Sequence, residues 1–345
     1  MRIRGMGRVQ RGARRLRNRF VKRSLILLYH RVDDLQADPF RLAVTPSHFA
    51  EHLEVIKQKC SPVRLSAMTR GVLAGEPPHG ACAVTFDDGY ADNYEKALPL
   101  LQKADVPATV FVATGYINST REFWWDELER ILLSPGTLPD ILTAGNGLIW
   151  KVPSHTVYTE QEYQSLRGWN ALETTIPTGR HALYRDIHSV LRPMTQEDRD
   201  NALAGLREAA GVPASPTPRY RTMTPEEIAN ATATGLVEIG AHTVTHPVLG
   251  ALPAEAQSRE ATESRQRLEE ITGRPVEMFS YPYGTPADYT PGTVSAVKAA
   301  GFTSAYSVAN DVVWRGSDPY QIARVTVHDC GGEEFARRLS EWMAG

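Results

Sequence analysis

The chain has 345 residues, 42% hydrophobic and 23% charged, the balance of an ordinary globular protein with room for a large core. No stretch approaches the roughly 20 apolar residues that cross a bilayer, and the early apolar run Leu25-Ile26-Leu27-Leu28-Tyr29 is too short for a secretion signal and has no small-residue cleavage site after it. Three scattered cysteines, Cys60, Cys82 and Cys330, exclude a disulfide framework, so a reducing, cytoplasmic setting is expected.

The formal net charge of −2 hides an asymmetry: residues 1–23 carry ten Arg or Lys and no acid, leaving 28 basic against 40 acidic residues in the rest. Val9, Ala13, Leu16 and Phe20 recur at helical spacing in this basic arm, the pattern of an amphipathic helix on an anionic membrane surface or of a self-docking arm. Nucleic acid is not an expected partner, because the acidic body repels phosphates.

From residue 24 strand-like and helix-like segments alternate. A strand is expected over 25–30, then a helix through 59 opened by Thr45-Pro46. A strand over 81–86 is followed by a helix over 93–103, and a β-branched strand over 108–113 comes next. The rhythm breaks over 121–221, which predicts a mostly helical insertion with a Pro/Ser linker at 213–218. Thr224 and Glu227 then have capping-box spacing. A strand over 236–241 and a charged helix over 253–272 ending at Gly273 follow, with further strands over 278–281, 303–307 and 322–327 and a last helix over 333–343. This order predicts an α/β fold, a parallel sheet with helices outside, closed or open, with its site at the strand C-termini. The chain divides into the arm 1–23, a first barrel or sheet part 24–120, the insertion 121–221 and a second part 222–345.

Four polar motifs end strands. Asp87-Asp88 in Thr-Phe-Asp-Asp-Gly-Tyr is either a strand-to-helix turn or a site, since two adjacent carboxylates are costly without a cation or proton between them. His242 and His246, four residues apart, share a face on a helical turn, and with one aspartate they make an Asp-His-His set that leaves positions for water and substrate. Tyr283, between Pro282 and Gly284, sits in a tight turn able to present its N–H to an oxyanion. His328 follows the strand bearing Arg324.

Together these ordered motifs, with Leu28-Tyr29-His30-Arg31-Val32 ahead of them, resemble the polysaccharide deacetylase family of NodB-homology carbohydrate esterases, from about residue 25 to 335 with the insertion outside. The resemblance implies a distorted (β/α)7-type barrel, a divalent metal with zinc the expected ion, and hydrolysis of an acetyl or formyl group from an N-acylated amino sugar. It assigns Asp88, His242 and His246 to the metal, Asp87 to the general base, the Tyr283 N–H to the oxyanion and His328 to the acid that protonates the amine. His30, also at the rim, is the rival acid or a substrate contact. Two departures stand out: Ser280 occupies the place of a base-orienting arginine, for which Arg324 is the expected substitute, and Asp311-Val312-Val313-Trp314 only partly matches the motif whose aspartate tunes the acid.

Trp124 and Trp125 either anchor the insertion or form a platform for a sugar ring; their spacing with Leu128, Ile131 and Leu132 favours anchoring. The expected substrate is an N-acylated glycan or lipid-linked sugar, met in the cytoplasm and at the membrane surface through residues 1–23. The rivals are a same-fold hydrolase of a small non-sugar amide, an iron oxygenase built on Asp-His-His, and a non-catalytic glycan-binding module. Retention of both base and metal set speaks against the last.

Overall fold

The computed structural model describes residues 22–119, 121–153, 157–215 and 217–344. Most of the basic arm, residues 1–21, lies outside the described residues. Seven parallel strands close on themselves: β1 (Leu25–Tyr29), β2 (Ala81–Phe86), β3 (Ala108–Val112), β4 (Val237–Ala241), β5 (Met278–Ser280), β6 (Ser304–Val308) and β7 (Ile322–Thr326). They stand around the barrel in sequence order, and β7 closes onto β1 through Leu27↔Val325 and Leu28↔Thr326. A two-residue strand, Ser61–Pro62, adds to the foot of β2.

Successive strand residues point to opposite faces, and the packing divides accordingly. Leu25, Leu27, Val84, Val110, Ile239 and Val325 pack outward in one cluster with the helices. Ile26, Ala83, Phe111, Met278, Tyr306 and Ile322 form a separate cluster inside the barrel. Continued along that inward parity, the next positions toward the C-terminal mouth are Thr85 and Asp87, His242, Ser280 and Arg324. The alternation of each strand therefore carries its polar residue to one mouth. Gly240 belongs to the same inward row, and a Cβ there would stand 2.4 Å from the Phe111 ring. That close approach seats Phe111 beneath the mouth, with its ring 5.3 Å from the Arg324 guanidinium.

The helices, in order, are α1 (Pro46–Lys59), α2 (Leu65–Leu73), α3 (Leu98–Ala104), α4 (Trp124–Leu133), α5 (Glu160–Leu166), α6 (Gly179–Leu191), α7 (Gln196–Ala209), α8 (Pro225–Ala233), α9 (Ala254–Thr272), α10 (Pro291–Ala299) and α11 (Gly332–Ala344). Thr45 caps α1 through the His48 N–H, Thr224 and Glu227 form the expected capping box, and Gly273 ends α9 with φ 64°. The helix expected over 93–103 differs: a wide helical turn, Asn93–Ala97, runs into α3. Helices α2 and α10 were not expected. Leu65, Met68 and Val72 of α2 join the inner cluster and close the N-terminal end of the barrel. Among the described residues no helix is long and apolar enough to cross a membrane.

Residues 121–221 contain α4 to α7 but are not helical throughout. Ile141–Thr143 pairs antiparallel with Ile149–Lys151, and Gly136–Thr137 with Val157–Tyr158. The segment has its own apolar core, in which Leu128, Ile131, Leu183, Ile187, Leu203 and Leu206 pack together with Tyr90 and Tyr116 from the barrel side.

Candidate active site

The backbone of Asp87 still follows β2, its N–H donating to the Tyr29 carbonyl at 3.0 Å. Asp88 and Gly89 then turn left-handed, with φ 74° and 78°. A left-handed aspartate is uncommon, and here the turn sends the second carboxylate to the same mouth as the first. Arg324 grips Asp87 with both terminal nitrogens, Nη1 to Oδ1 and Nη2 to Oδ2, each at 2.7 Å. Its Nη2 also donates to Ser280 Oγ at 2.7 Å, and Ser280 Oγ donates to Asp87 Oδ2 at 3.1 Å. Arg324 thus reaches Asp87, the expected base, from β7, while Ser280 completes the contact. Burial alone would raise the Asp87 pKa, but the guanidinium beside it, helped by His242, holds the carboxyl far below the usual range.

The segment His242 to His246 is an irregular turn rather than the helical turn its spacing predicts, with Thr243 and His246 left-handed at φ 67° and 53°. Two anchors shape it. Thr243 Oγ1 accepts the His246 N–H at 3.0 Å, and Glu260 Oε2 accepts the Val244 and Thr245 N–H groups at 2.7 and 2.9 Å. Both imidazoles are brought to Asp88: its Oδ1 lies 3.3 Å from His246 Nε2 and 3.5 Å from His242 Nε2. The ligand atoms of Asp88, His242 and His246 all lie within 4.8 Å of one another and all three residues are buried.

His242 Nδ1 lies 2.8 Å from the Ser280 carbonyl, which requires the proton on Nδ1 and leaves the Nε2 lone pair facing Asp88. Burial lowers the pKa of both histidines, His246 to about 3, so each stays neutral at pH 7. Asp88 Oδ1 has no hydrogen-bond partner among the described residues although it is buried. A buried carboxylate oxygen facing two neutral imidazoles is the donor set of a divalent cation, and tetrahedral ligands at zinc distances stand about 3.3–3.6 Å apart. The residues fit the expected ion.

A cavity of 360 Å³ opens over this cluster, and His30, His328 and Tyr283 all line it. His328 Nδ1 lies 3.1 Å from the Arg41 carbonyl, which fixes the ring with Nε2 as its second nitrogen. Burial lowers the pKa of both His30 and His328. Tyr283 is left-handed at φ 60°, and its N–H has no acceptor among the described residues. Its hydroxyl accepts the Trp124 indole N–H at 3.3 Å.

The two tryptophans divide the roles proposed for them. Trp124 is buried in the insertion core. Trp125 is buried as well but lines the cavity, its ring centre 4.8 Å from that of His246 and its N–H donating to Tyr90 Oη at 2.9 Å. Phe40, Leu42, Leu172, His188 and Arg192 complete the wall, and no sequence motif marked them.

The polysaccharide deacetylase family model matches residues 74–167 and 196–305. The Bacillus subtilis (strain 168) protein YxkH, named for the same family, is 33% identical over 111 residues, a stretch covering 31% of this chain and 37% of YxkH. This chain therefore aligns with little more than a third of that relative's length. Two solved structures share the fold. The Streptococcus pyogenes deacetylase PplD is 15% identical with a TM-score of 0.57, covering 94% of this chain and 99% of its own. The de-N-acetylase of Aggregatibacter actinomycetemcomitans is also 15% identical with a TM-score of 0.55, covering 93% and 100%. With the family model spanning more than half of its length, the chain belongs to the polysaccharide deacetylase family.

Proposed function

We propose that this protein is a zinc-dependent N-deacylase that removes acetyl, or formyl, from an amino sugar. The observation that carries the reading is the division of the adjacent aspartates. Asp88 Oδ1 faces two neutral imidazoles without a donor, whereas Asp87 is held by Arg324 on a separate hydrogen-bond set. Asp88, His242 and His246 would hold a divalent ion, which would supply Lewis-acid polarisation of the acyl oxygen and a water acidic enough for a weakly basic carboxylate to deprotonate.

The remaining work falls to the chain's own groups. Asp87, kept ionised and oriented by Arg324, takes the proton of the attacking water. The Tyr283 N–H, presented by its left-handed turn, donates to the oxyanion that develops on the acyl oxygen. His328 delivers a proton to the departing amine, which otherwise leaves poorly. The Arg41 carbonyl keeps its Nδ1 protonated, so Nε2 is the nitrogen that donates and is recharged. Apolar and aromatic walls from Leu42, Trp125 and Phe40 exclude water and suit an acyl methyl and the C–H face of a sugar ring.

A glycan precursor or lipid-linked sugar is the proposed substrate, met in the cytoplasm at the membrane surface. The ten basic residues within 1–23 support that location. Removal of residues 1–21 should weaken binding to anionic phospholipid vesicles, and unchanged binding would remove the tether from the account. The reaction itself is tested by acetate and formate release from N-acetyl and N-formyl amino-sugar donors and oligosaccharides, after metal stripping and after zinc re-addition. Zinc-restored release is expected; release that ignores zinc, or none across the panel, contradicts the reading.

A further inference from the structure

Beside the catalytic cavity lies a second one, of 560 Å³, lined by Arg41, Arg167 and Arg219 together with four aspartates. The two share a wall. Along the segment from Asp38 to Ala43, Phe40 and Leu42 line the catalytic cavity, while Asp38, Arg41 and Ala43 line its neighbour. The same Arg41 whose side chain faces the second cavity holds His328 through its carbonyl.

The charges of this cavity are unevenly committed. Asp38 accepts the Leu42 and Ala43 N–H groups, one with each oxygen. Asp33 is bound by Lys96 and lies near Arg31, and Asp329 accepts from Thr45 and His48. Among the four, only the Asp34 carboxylate has no hydrogen-bond or ion-pair partner among the described residues. The three guanidinium groups make no ion pair or hydrogen bond among the described residues, and the undescribed positions 1–21, 120, 154–156, 216 and 345 include no Asp or Glu. Arg167 and Arg219 line the same cavity although they are far apart in sequence.

One of these placements has a local cause: Arg167 follows the C-terminus of α5, where the helix dipole favours a cation. That does not account for Arg41 from the barrel loop and Arg219 from the 213–221 linker lining the same space, since none of the cavity's four aspartates is bonded to these guanidinium groups and like charges repel. Planar guanidinium forks are suited to phosphate and carboxylate oxygens.

We infer that the Arg41–Arg167–Arg219 cavity is a binding subsite for an oxyanion, a phosphate or a carboxylate, borne by the substrate next to its acylated sugar. The inference rests on the proposed deacylase reading, because the shared wall places the anion one short span from the metal cluster. It makes the enzyme selective for acidic glycans or sugar phosphates over neutral ones. The arginines come from the insertion, its linker and the loop after β1, so the specificity lies outside the catalytic motifs.

The test uses the double variant R167Q/R219Q of the full chain, both positions being exposed and outside the chemistry. Kinetics are compared on N-acetylglucosamine disaccharide, its 1-phosphate and a disaccharide carrying a uronate. The variant should raise KM for whichever acidic substrate the site takes by at least about tenfold, the loss expected from charge-assisted hydrogen bonds, and leave the neutral one within about twofold. The arm that responds, phosphate or uronate, identifies the anion. In parallel, calorimetric titration of metal-stripped wild type and variant with inorganic phosphate and with glucuronate reads the subsite without turnover. Weaker anion binding by the variant supports the subsite. Equal KM ratios for acidic and neutral substrates, or anion titrations that the substitutions do not change, overturn it. Absence of turnover by the zinc-loaded wild type on every substrate, with anion binding that the substitutions still weaken, would instead count against the deacylase reading alone.

Discussion

Two buried carboxylates, Asp87 lining the cavity and Asp126 behind its Trp125 wall, are handled in opposite ways. At the barrel mouth, Asp87 is gripped by both arms of Arg324 and stays ionised. In the insertion, Asp126 accepts a hydrogen bond from Tyr90 at 2.7 Å, and burial pushes its pKa up to about 8. Arg31 lies near enough to oppose that rise, but its Nε is bound to Asp92 at 2.9 Å instead. Depth of burial is similar, 3% exposure for Asp87 and 5% for Asp126, so it does not decide the charge. A cation in direct contact does. The barrel mouth is built to keep an anion ready, and the insertion wall is built around a neutral acid that Tyr90 links to Trp125.

The comparison breaks most visibly at Arg324. Substitution R324A leaves Asp87 buried without its cation and should cost about 3–5 kcal/mol in urea unfolding, with loss of turnover. R324K should recover only part of both, because a point charge cannot replace a fork. A fully active R324A would show that the base needs no positioning arginine.

The effect at Asp126 is smaller and has a definite sign. Between about pH 4 and pH 8 the unfolded chain has released this proton while the folded chain retains it, so stability falls as pH rises. Relative to wild type, D126N should flatten that fall, by a limiting slope of roughly 1.4 kcal/mol per pH unit. Parallel unfolding curves for the two proteins across this window would mean that Asp126 is ionised in the fold.

The smallest change is at the wall itself. W125F keeps an aromatic ring but removes the N–H that reaches Tyr90, which should cost about 1 kcal/mol of stability and leave kcat within severalfold. A collapse of kcat in W125F would move the insertion from wall to chemistry.

Much of the barrel mouth was legible because strand chemistry is local. Apolar runs ending in Asp87-Asp88, His242 and Tyr283 announce strand termini; inward parity gathers Asp87 and His242, while left-handed turns bring in Asp88 and Tyr283. Arg324 was recoverable in the same way, as an inward residue on the last strand. The insertion was less legible. The Asn146-Gly147 pair, with Gly147 at φ 84°, signals the hairpin between Ile141–Thr143 and Ile149–Lys151 but was absorbed into a helical expectation. Phe40 and Arg192 reach the cavity from segments some 150 residues apart, with no local pattern to mark them. The His242–His246 spacing pointed to the right pair through the wrong local geometry, since left-handed residues at Thr243 and His246 replace the helical turn.

The division between the two aspartates is tested most directly by measuring zinc content and acetate release side by side for D87N and D88N. The account predicts that D88N loses zinc and activity together, whereas D87N keeps a full equivalent of zinc and loses activity by at least about a hundredfold. A D87N protein that turns over normally, or a D88N protein that retains both zinc and activity, would contradict it.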